Sequence, residues 1–402
     1  MQKNKDCNGR VNVSVIYGMI MYCIVVPVGR AVSIVKVVHC IHGLTMGGAE
    51  TLVKNYALAF DKNKIDLTIL CFNRYHLPYE DILQNRNIKV IYISDYFIRL
   101  HLRHSVNRVL NLLARYYYIR KFIKELNPDV IHVHLPISRY IRFAHPKKGT
   151  KIIYTQHFTA KRLFDAYPTE VKHVRWLIKN YSFRFIALNP EMKSALDDYF
   201  GLSNTIVLNN AIDFSRYETV IDKKAKKREI HLTEDVLVIG HVGRLSKIKN
   251  HRFLLETFCY YKKYNKNSYL LLVGTGEDKD NIVRQAKELD IYSNMVILEN
   301  RDDVPELLQC MDVFVFPSLS EGLGIAVIEA QAAGLPCIVS DAVPQATNIS
   351  NLILYKSLDD SPAKWAKYIK LTAEKHIVPQ YYHKDDWDIH KVIHELENIY
   401  MK

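Results

Sequence analysis

The chain has 402 residues, 49% of them hydrophobic and 24% charged, enough apolar material to exclude long disordered tracts and low-complexity repeats. Seven cysteines stand singly at 7, 23, 40, 71, 259, 310 and 337 with no C-x-x-C pair, which excludes a zinc ribbon or a disulfide scaffold and fits a reducing compartment. The net charge of +13 is uneven, with 31 Lys+Arg against 15 Asp+Glu in residues 1–217 and 24 against 27 in the remainder; the basic half suggests nucleic acid, a membrane surface or a phosphorylated substrate, and a solvated Lys-rich surface is the plain alternative.

Residues 1–33 read as a leader. Arg10 and Arg30 bracket nineteen uncharged residues, Val11 to Gly29, a length at the threshold for a membrane helix. Asn12, Ser14, Gly18 and Pro27 interrupt that stretch. The leader is either membrane-associated or foreign to the fold, and the second reading is preferred. From Ile34 onward, short apolar runs predict buried strands at 34–40, 67–71, 89–93, 130–133, 151–155 and 184–187. Helical stretches at 51–60 and 106–126 lie between them. Near-continuous apolar strands are buried on both faces, as in parallel sheets, and their alternation with helices indicates an α/β fold. Residues 209–233 break the rhythm; with Asp222, Lys223, Lys224, Lys226, Lys227 and Arg228 they read as a solvated linker. A second series of strands follows at 236–242, 269–273, 295–298, 313–316 and 337–340, and 386–401 reads as a final helix. The pattern predicts two doubly wound domains joined near residue 215, with a cleft between their strand ends. Ligands of open α/β sheets bind at the C-terminal ends of strands.

The segment 316–336 carries the most chemistry. A strand ends at Phe316, a loop holds Glu321, Gly322 and Gly324, and a helix runs from about 324 to 333 before Gly334 and Pro336 stop it. The free N–H groups of Gly324, Ile325 and Ala326 would face an anion, and glycine lets a phosphate approach the backbone. The carboxylates of Glu321 and Glu329 accept hydrogen bonds, so sugar hydroxyls suit them. In Gly243-Arg244 and Lys249-Asn250, after the first strand of the second domain, an Arg fork and a Lys point charge could clamp a diphosphate and stabilise a leaving nucleoside diphosphate. Gly47-Gly48 opens a helix after the first strand of all, in neither a G-x-G-x-x-G nor a Walker pattern. His132, His134 and His157 lie at strand ends. The H-x-H pair shares one face of its strand and, without an acidic or cysteine ligand nearby, is not assigned a metal. His157 falls where a cleft residue would lie, as an acid, a base or a hydrogen-bond partner. Asp278-Lys-Asp280 and Asp386-Trp-Asp388 read as helix caps. The stretch 99–124 sets Arg99, Arg103, Arg108, Arg115, Arg120, Lys121 and Lys124 beside Leu110, Leu112, Leu113, Tyr116 and Phe122. It fits a helix lying on anionic lipid and a helix packed on the sheet equally.

Together these residues resemble a known family. Glu321-x7-Glu329, preceded by Phe316-Pro-Ser and followed by Ala332-Ala-Gly-Leu-Pro336, resembles the E-x7-E signature of the family-4 glycosyltransferases. Gly243-Arg244-Leu with Lys249-Asn250 resembles their phosphate clamp. His39-x-x-His42-Gly43-x-x-x-Gly47-Gly48-Ala49-Glu50 resembles the N-terminal motif of members that build bacterial capsular and exopolysaccharides. Gly274-x-Gly276-Glu277 and Ser340-Asp341 also match, and the resemblance covers about residues 34–400.

The resemblance implies a GT-B fold: two Rossmann-like doubly wound domains facing each other across a cleft. It implies an acceptor-binding domain over 34–212, a nucleotide-sugar-binding domain over 213–380 and a C-terminal helix within 381–402 crossing back to the first. By it Glu329 holds ribose hydroxyls and Glu321 contacts the donor sugar. Arg244, Lys249 and the amides of Gly324, Ile325 and Ala326 hold the diphosphate, Gly47 and Gly48 form the loop beside it, and His157 sits by sugar and acceptor. Glu321, His157, Arg244 and Lys249 are the catalytic candidates. No metal or other cofactor is implied. Leu323 replaces the usual aromatic, Asn210-Ala211-Ile212-Asp213 lacks the usual glycine, and Leu298-Glu299-Asn300 replaces F-L-G by the expected nucleobase pocket. The implied activity is a retaining sugar transfer from a nucleotide sugar, UDP-linked, to a growing, lipid-diphosphate-linked glycan of a bacterial surface polysaccharide. The implied setting is cytoplasmic, peripheral at the inner face of the cell membrane, against an anionic surface and without nucleic acid. A GT-B nucleotide-sugar epimerase and a non-catalytic nucleotide-sugar-binding subunit are the alternatives. The E-x7-E motif speaks against the first, and the intact charged residues speak against the second.

Overall fold

The computed structural model describes residues 34–97, 104–382 and 384–402. The leader 1–33, Arg99 and Arg103 lie outside the described residues. The first domain runs β1 (Val35–Ile41), α1 (Gly48–Ala59), β2 (Ile65–Cys71), β3 (Lys89–Tyr92), α2 (His104–Leu126), β4 (Val130–His134), β5 (Lys151–Thr155), β6 (Ser182–Ala187) and β7 (Ile206–Val207). Two short helices follow, α3 (Ser215–Glu218) and α4 (Lys223–Glu229). The second domain contains β8 (Leu237–Val242), β9 (Ser268–Val273), β10 (Met295–Leu298), β11 (Val313–Phe316), α5 (Ile325–Ala332), β12 (Cys337–Ser340) and β13 (Ile353–Lys356). The chain ends in α6 (Ile389–Met401), and further helices connect the strands.

Both sheets are parallel, with orders β3-β2-β1-β4-β5-β6-β7 and β10-β9-β8-β11-β12-β13. Every residue of β4, β11 and β12 is buried, because helices cover both faces of a parallel sheet. The strand order turns back on either side of β1 and of β8. Crevices therefore open at the C-terminal ends of β1 with β4 and of β8 with β11, and the loops that leave those ends supply the site.

Several expectations need correction. Residues 209–233 are not a solvated linker. Phe214, Tyr217, Ile230 and Leu232 join the core, Lys227 is itself buried and its Nζ donates to Val236 O at 2.8 Å. Lys226 pairs with Asp303 at 2.5 Å. Long lysine stems cover apolar surface while their amines reach oxygens, so the charge count concealed two amphipathic turns. The edge strands β7 and β13 were not expected; they are too short and too exposed to give an apolar run. Asp388 caps α6 by accepting from His390 N at 2.8 Å. Asp278 does not cap the backbone of its helix; its carboxylate accepts from the Asn281 side chain at 2.9 Å. In α2 the C-terminal half packs through Ile119, Phe122 and Ile123, whereas Val109, Leu113 and Tyr117 of the earlier turns are 57%, 60% and 63% exposed. No helix among the described residues is long and apolar enough to cross a membrane.

The last helix lies on the first domain. Val392, Ile393, Leu396 and Tyr400 pack with Tyr56 of α1, with Phe60 just after it, and with Val37 and Ile65 of β1 and β2. The buried Glu397 accepts from Asp61 N and from Lys64 Nζ, both at 3.0 Å. Ile212 N donates to Trp387 O at 2.9 Å, stitching the segment before α6 to the end of the first domain. Leu396 is fully buried, so Leu396→Ala is expected to cost about 2–5 kcal/mol. Leu371→Ala, at a half-exposed position, stays within about 0.5 kcal/mol. Urea unfolding of the two variants measures the contrast.

Candidate active site

The loop after β1 ends at Gly47, which leads into α1 with extended backbone and no side-chain cap. The N–H groups of Gly48 and Ala49 are thus left for an incoming acceptor, while the Glu50 N–H donates to its own carboxylate. A Cβ on Gly47 would meet Glu50 Oε2 at 2.5 Å. Glu50 accepts from Thr45 Oγ1 at 2.9 Å, and burial raises its pKa. A Cβ on Gly48 would stand 4.0 Å from Ile325 Cγ2, so the starts of α1 and α5 face each other across the cleft.

In the second domain, Gly324 precedes α5 in the left-handed conformation, φ 85°, where a side chain would be strained. The loops after β8 and β9 press together backbone to backbone. A Cβ on Gly274 would lie 1.9 Å from Gly243 O, one on Gly276 2.1 Å from Leu245 O, and Leu245 N donates to Thr275 O at 2.8 Å. Gly274 and Gly276 therefore serve this close approach, and Arg244 stands at the cleft mouth, exposed. Lys249 Nζ donates to Glu321 Oε1 at 2.6 Å and sits 4.5 Å from the Phe316 ring centre.

Glu329 projects from α5 toward the first domain. Tyr217 Oη donates to its Oε1 at 3.0 Å. Burial raises its pKa, and the Tyr217 bond, Lys54 and Arg216 oppose that rise. Lys54, on α1, is buried, and its amine lies 4.6 Å from the Tyr79 ring centre. Burial, aided by repulsion from Arg216, lowers its pKa to about 8 against the pull of Glu329, Asp302 and Asp213. His157, after β5, is half-buried at the cleft. The Glu321 loop crosses its backbone: a Cβ on Gly322 would lie 2.9 Å from His157 O, and Asn189 Nδ2 donates to Gly322 O at 3.3 Å.

Every catalytic and donor-binding candidate of the sequence, including Ile325 and Ala326 at the start of α5, lines one cleft of about 380 Å³. Asn300, which stands for the glycine of F-L-G, lines it too and adopts φ 54°. Asparagine tolerates this left-handed conformation, which glycine also adopts without strain. Sequence reasoning missed Lys54, Arg216 and Tyr217. Arg216 and Tyr217 lay in the segment read as a linker. Lys54 follows Glu50 by four residues, hence on one face of α1, which was the available signal.

Two tandem parallel sheets of this strand order, with one cleft between their C-terminal edges, make a GT-B fold. The crystal structure of Anabaena HepE in complex with UDP and glucose shares it, at TM-score 0.68 and 18% identity, covering 91% of this chain and 94% of that one. A model described as glycosyltransferase family 4 matches residues 46–216, and one described as glycosyl transferases group 1 matches residues 222–353. The chain belongs to the family-4 glycosyltransferases. EpsF of Bacillus subtilis, named as a glycosyltransferase, is 28% identical over 84% of this chain and 88% of its own length. The UDP-Gal:alpha-D-GlcNAc-diphosphoundecaprenol alpha-1,3-galactosyltransferase of Escherichia coli is 26% identical over 69% of this chain and 72% of its own.

Lys54 makes the site measurable by pH. A lysine whose folded pKa lies below its unfolded value adds stability as pH rises between the two, here from about 8 to 10.5. Below pH 8 it is protonated in both states and adds no further pH dependence. The rise is on the order of 3 kcal/mol. It should be absent from Lys54→Met when urea stability is compared with wild type across that window.

Proposed function

We propose that the chain is a retaining glycosyltransferase that moves a sugar from a UDP-sugar to a growing glycan carried on a lipid diphosphate, in the synthesis of a bacterial surface polysaccharide. The observation that carries this reading is the meeting, in one cleft, of two helix N-termini with Arg244, Lys249 and the Tyr217-bonded Glu329. Backbone N–H groups at Gly324–Ala326 and Gly47–Gly48, with the two cations, suit a diphosphate. Glu329 offers acceptor oxygens to the ribose hydroxyls, and Glu321, steadied by Lys249, offers them to the sugar. HepE has been crystallised with UDP and with UDP-glucose. The Escherichia coli relative is named for a UDP-galactose donor and a diphosphoundecaprenol-linked acceptor. Both support the reading.

In this reaction the bond from the anomeric carbon to the diphosphate oxygen breaks, and its electron pair leaves with UDP. Arg244, Lys249 and the start of α5 stabilise the charge that develops there. The acceptor hydroxyl oxygen forms the new bond on the same face of the sugar, and its proton passes to the departing phosphate oxygen. Configuration is retained, and no metal enters. The donor sits on the domain 213–380, and the acceptor enters over 34–212 with His157 beside the sugar.

The exposed turns of α2 fit the membrane setting. Val109, Leu113 and Tyr117 stand among Arg108, Arg120, Lys121 and Lys124, all exposed. An apolar ridge with basic flanks inserts shallowly into an anionic leaflet, which supports a setting at the cytoplasmic face of the cell membrane.

Purified protein offered a panel of nucleotide sugars with membrane lipid extract should release UDP and form glycolipid from a UDP-sugar. Glu329→Ala should weaken UDP binding about 10–100-fold, the loss of one or two hydrogen bonds to a charged group. No turnover with any donor, together with unchanged UDP binding in this variant, would sink the reading. In vesicle sedimentation, Leu113→Glu is expected to lower binding to phosphatidylglycerol vesicles about tenfold or more. Equal binding to neutral vesicles would contradict the electrostatic part.

A further inference from the structure

Four histidines of the first domain and a tyrosine of the last helix form one unbroken hydrogen-bonded chain. Thr155 Oγ1 lies 2.6 Å from His132 Nε2, and His132 Nδ1 lies 2.5 Å from Tyr400 Oη. Tyr400 Oη lies 2.8 Å from His39 Nε2, His39 Nδ1 3.3 Å from His134 Nε2, and His134 Nδ1 3.1 Å from His157 Nε2. The sheet register builds this row. His39 and His132 are partners on β1 and β4, and His134 and Thr155 are partners on β4 and β5. The packing of α6 then drops Tyr400 onto them.

His39, His132, His134, Thr155 and Tyr400 are all buried, and His157 is half-buried at the cleft. Burial lowers the pKa of His39 and of His157 to about 3 and those of His132 and His134 well below their ordinary value. The four rings are therefore neutral at neutral pH. A neutral imidazole carries one N–H and a hydroxyl one O–H. Six groups thus bring six mobile protons to five links. The sixth proton belongs to one end, either Nδ1 of His157 at the cleft or the hydroxyl of Thr155 in the core.

Among the described residues, the Thr155 hydroxyl has no hydrogen-bond partner except His132. A proton turned away from His132 would be a buried donor without an acceptor, which folded proteins avoid. Thr155 therefore donates to His132, His132 to Tyr400, Tyr400 to His39, His39 to His134 and His134 to His157. His157 keeps its proton on Nδ1, which has no partner among the described residues. Ligand nitrogens of His39, His132 and His134 lie within 4.8 Å of one another, as at a metal site, but every nitrogen of these three rings already makes a bond of the chain.

We propose that Tyr400, His39, His132 and His134 are positioning residues that hold His157 as its Nδ1–H tautomer, so that it meets a ligand in the cleft as a hydrogen-bond donor and not as a base. An oxygen of the sugar or of the diphosphate is the partner such a donor takes. Only this use of His157 rests on the glycosyltransferase reading. The tautomer is measured without substrate, so the two stand or fall separately.

The full chain labelled with [15N]histidine, free of ligand at neutral pH, is suited to long-range 1H–15N correlation spectra, with His157 assigned by the signal lost in His157→Gln. The expected result is Nδ1–H for His157, unchanged by EDTA. In His134→Gln the amide can donate to Nε2 or accept from it, and in Tyr400→Phe the link to Thr155 is cut while the ring still packs near Phe60. Both tautomers should then appear side by side. An Nε2–H form in the wild type, a spectrum altered by EDTA, or a single Nδ1–H form surviving in both variants would overturn the proposal. The wild-type spectrum decides alone should a variant fail to fold.

Discussion

The packing of α6 against α1 and β1 is the contact on which the rest depends. It is apolar burial of ordinary kind, Leu396, Val392 and Ile393 against Tyr56, Phe60 and Val37, and burial of such side chains stabilises by a few kcal/mol each. Its consequence is geometric. The chain leaves the second domain and completes the core of the first, so the first domain's core contains the last residues of the chain. Ile212 and Trp387 are bonded at the same crossing, beside the loop that brings Arg216 and Tyr217 to Glu329. The helix also seals the histidine row with Tyr400. One hydrophobic contact thus supports both walls of the cleft.

Within the cleft the electrostatics are of two kinds. At the mouth, exposed Arg244 and the starts of α1 and α5 present positive character, with Glu50 in the first turn of α1 within the field of Arg244. Lys249, nearly buried, is held by Glu321, so its charge is fixed in place without being free to wander. Deeper in, Glu329 and Lys54 oppose each other across the domain boundary in a low-dielectric setting. There burial shifts both toward neutrality, and each partly restores the other. Such groups are sensitive to whatever polar ligand enters, because a partner in a dry site counts for more than in water.

Much of this was legible in the chain. Apolar runs marked eleven of the strands, since a strand covered on both faces must be apolar throughout. The glycines at 274 and 276 were visible as motifs, but their cause, backbone pressed on backbone, was not. Residues 209–233 were misread because lysine counts as charge wherever its stem lies. The histidines at 132 and 134 were placed on one face, yet His39 and Tyr400 are remote in sequence, and no spacing rule brings them together.

The uneven charge likewise divides between sequence and structure. The sequence determined that the first domain is basic, that two α/β units follow one another, and that two glutamates eight residues apart flank a helix start. These are local facts, set by residue type and periodicity. Only the tertiary structure decided that Lys54 and Glu329 share a pocket, that α2 packs one half and exposes the other, and that the tail closes the first domain's core. Each of those joins residues far apart along the chain, and the burial that gives them their pKa values exists only once both domains and the final helix have come together.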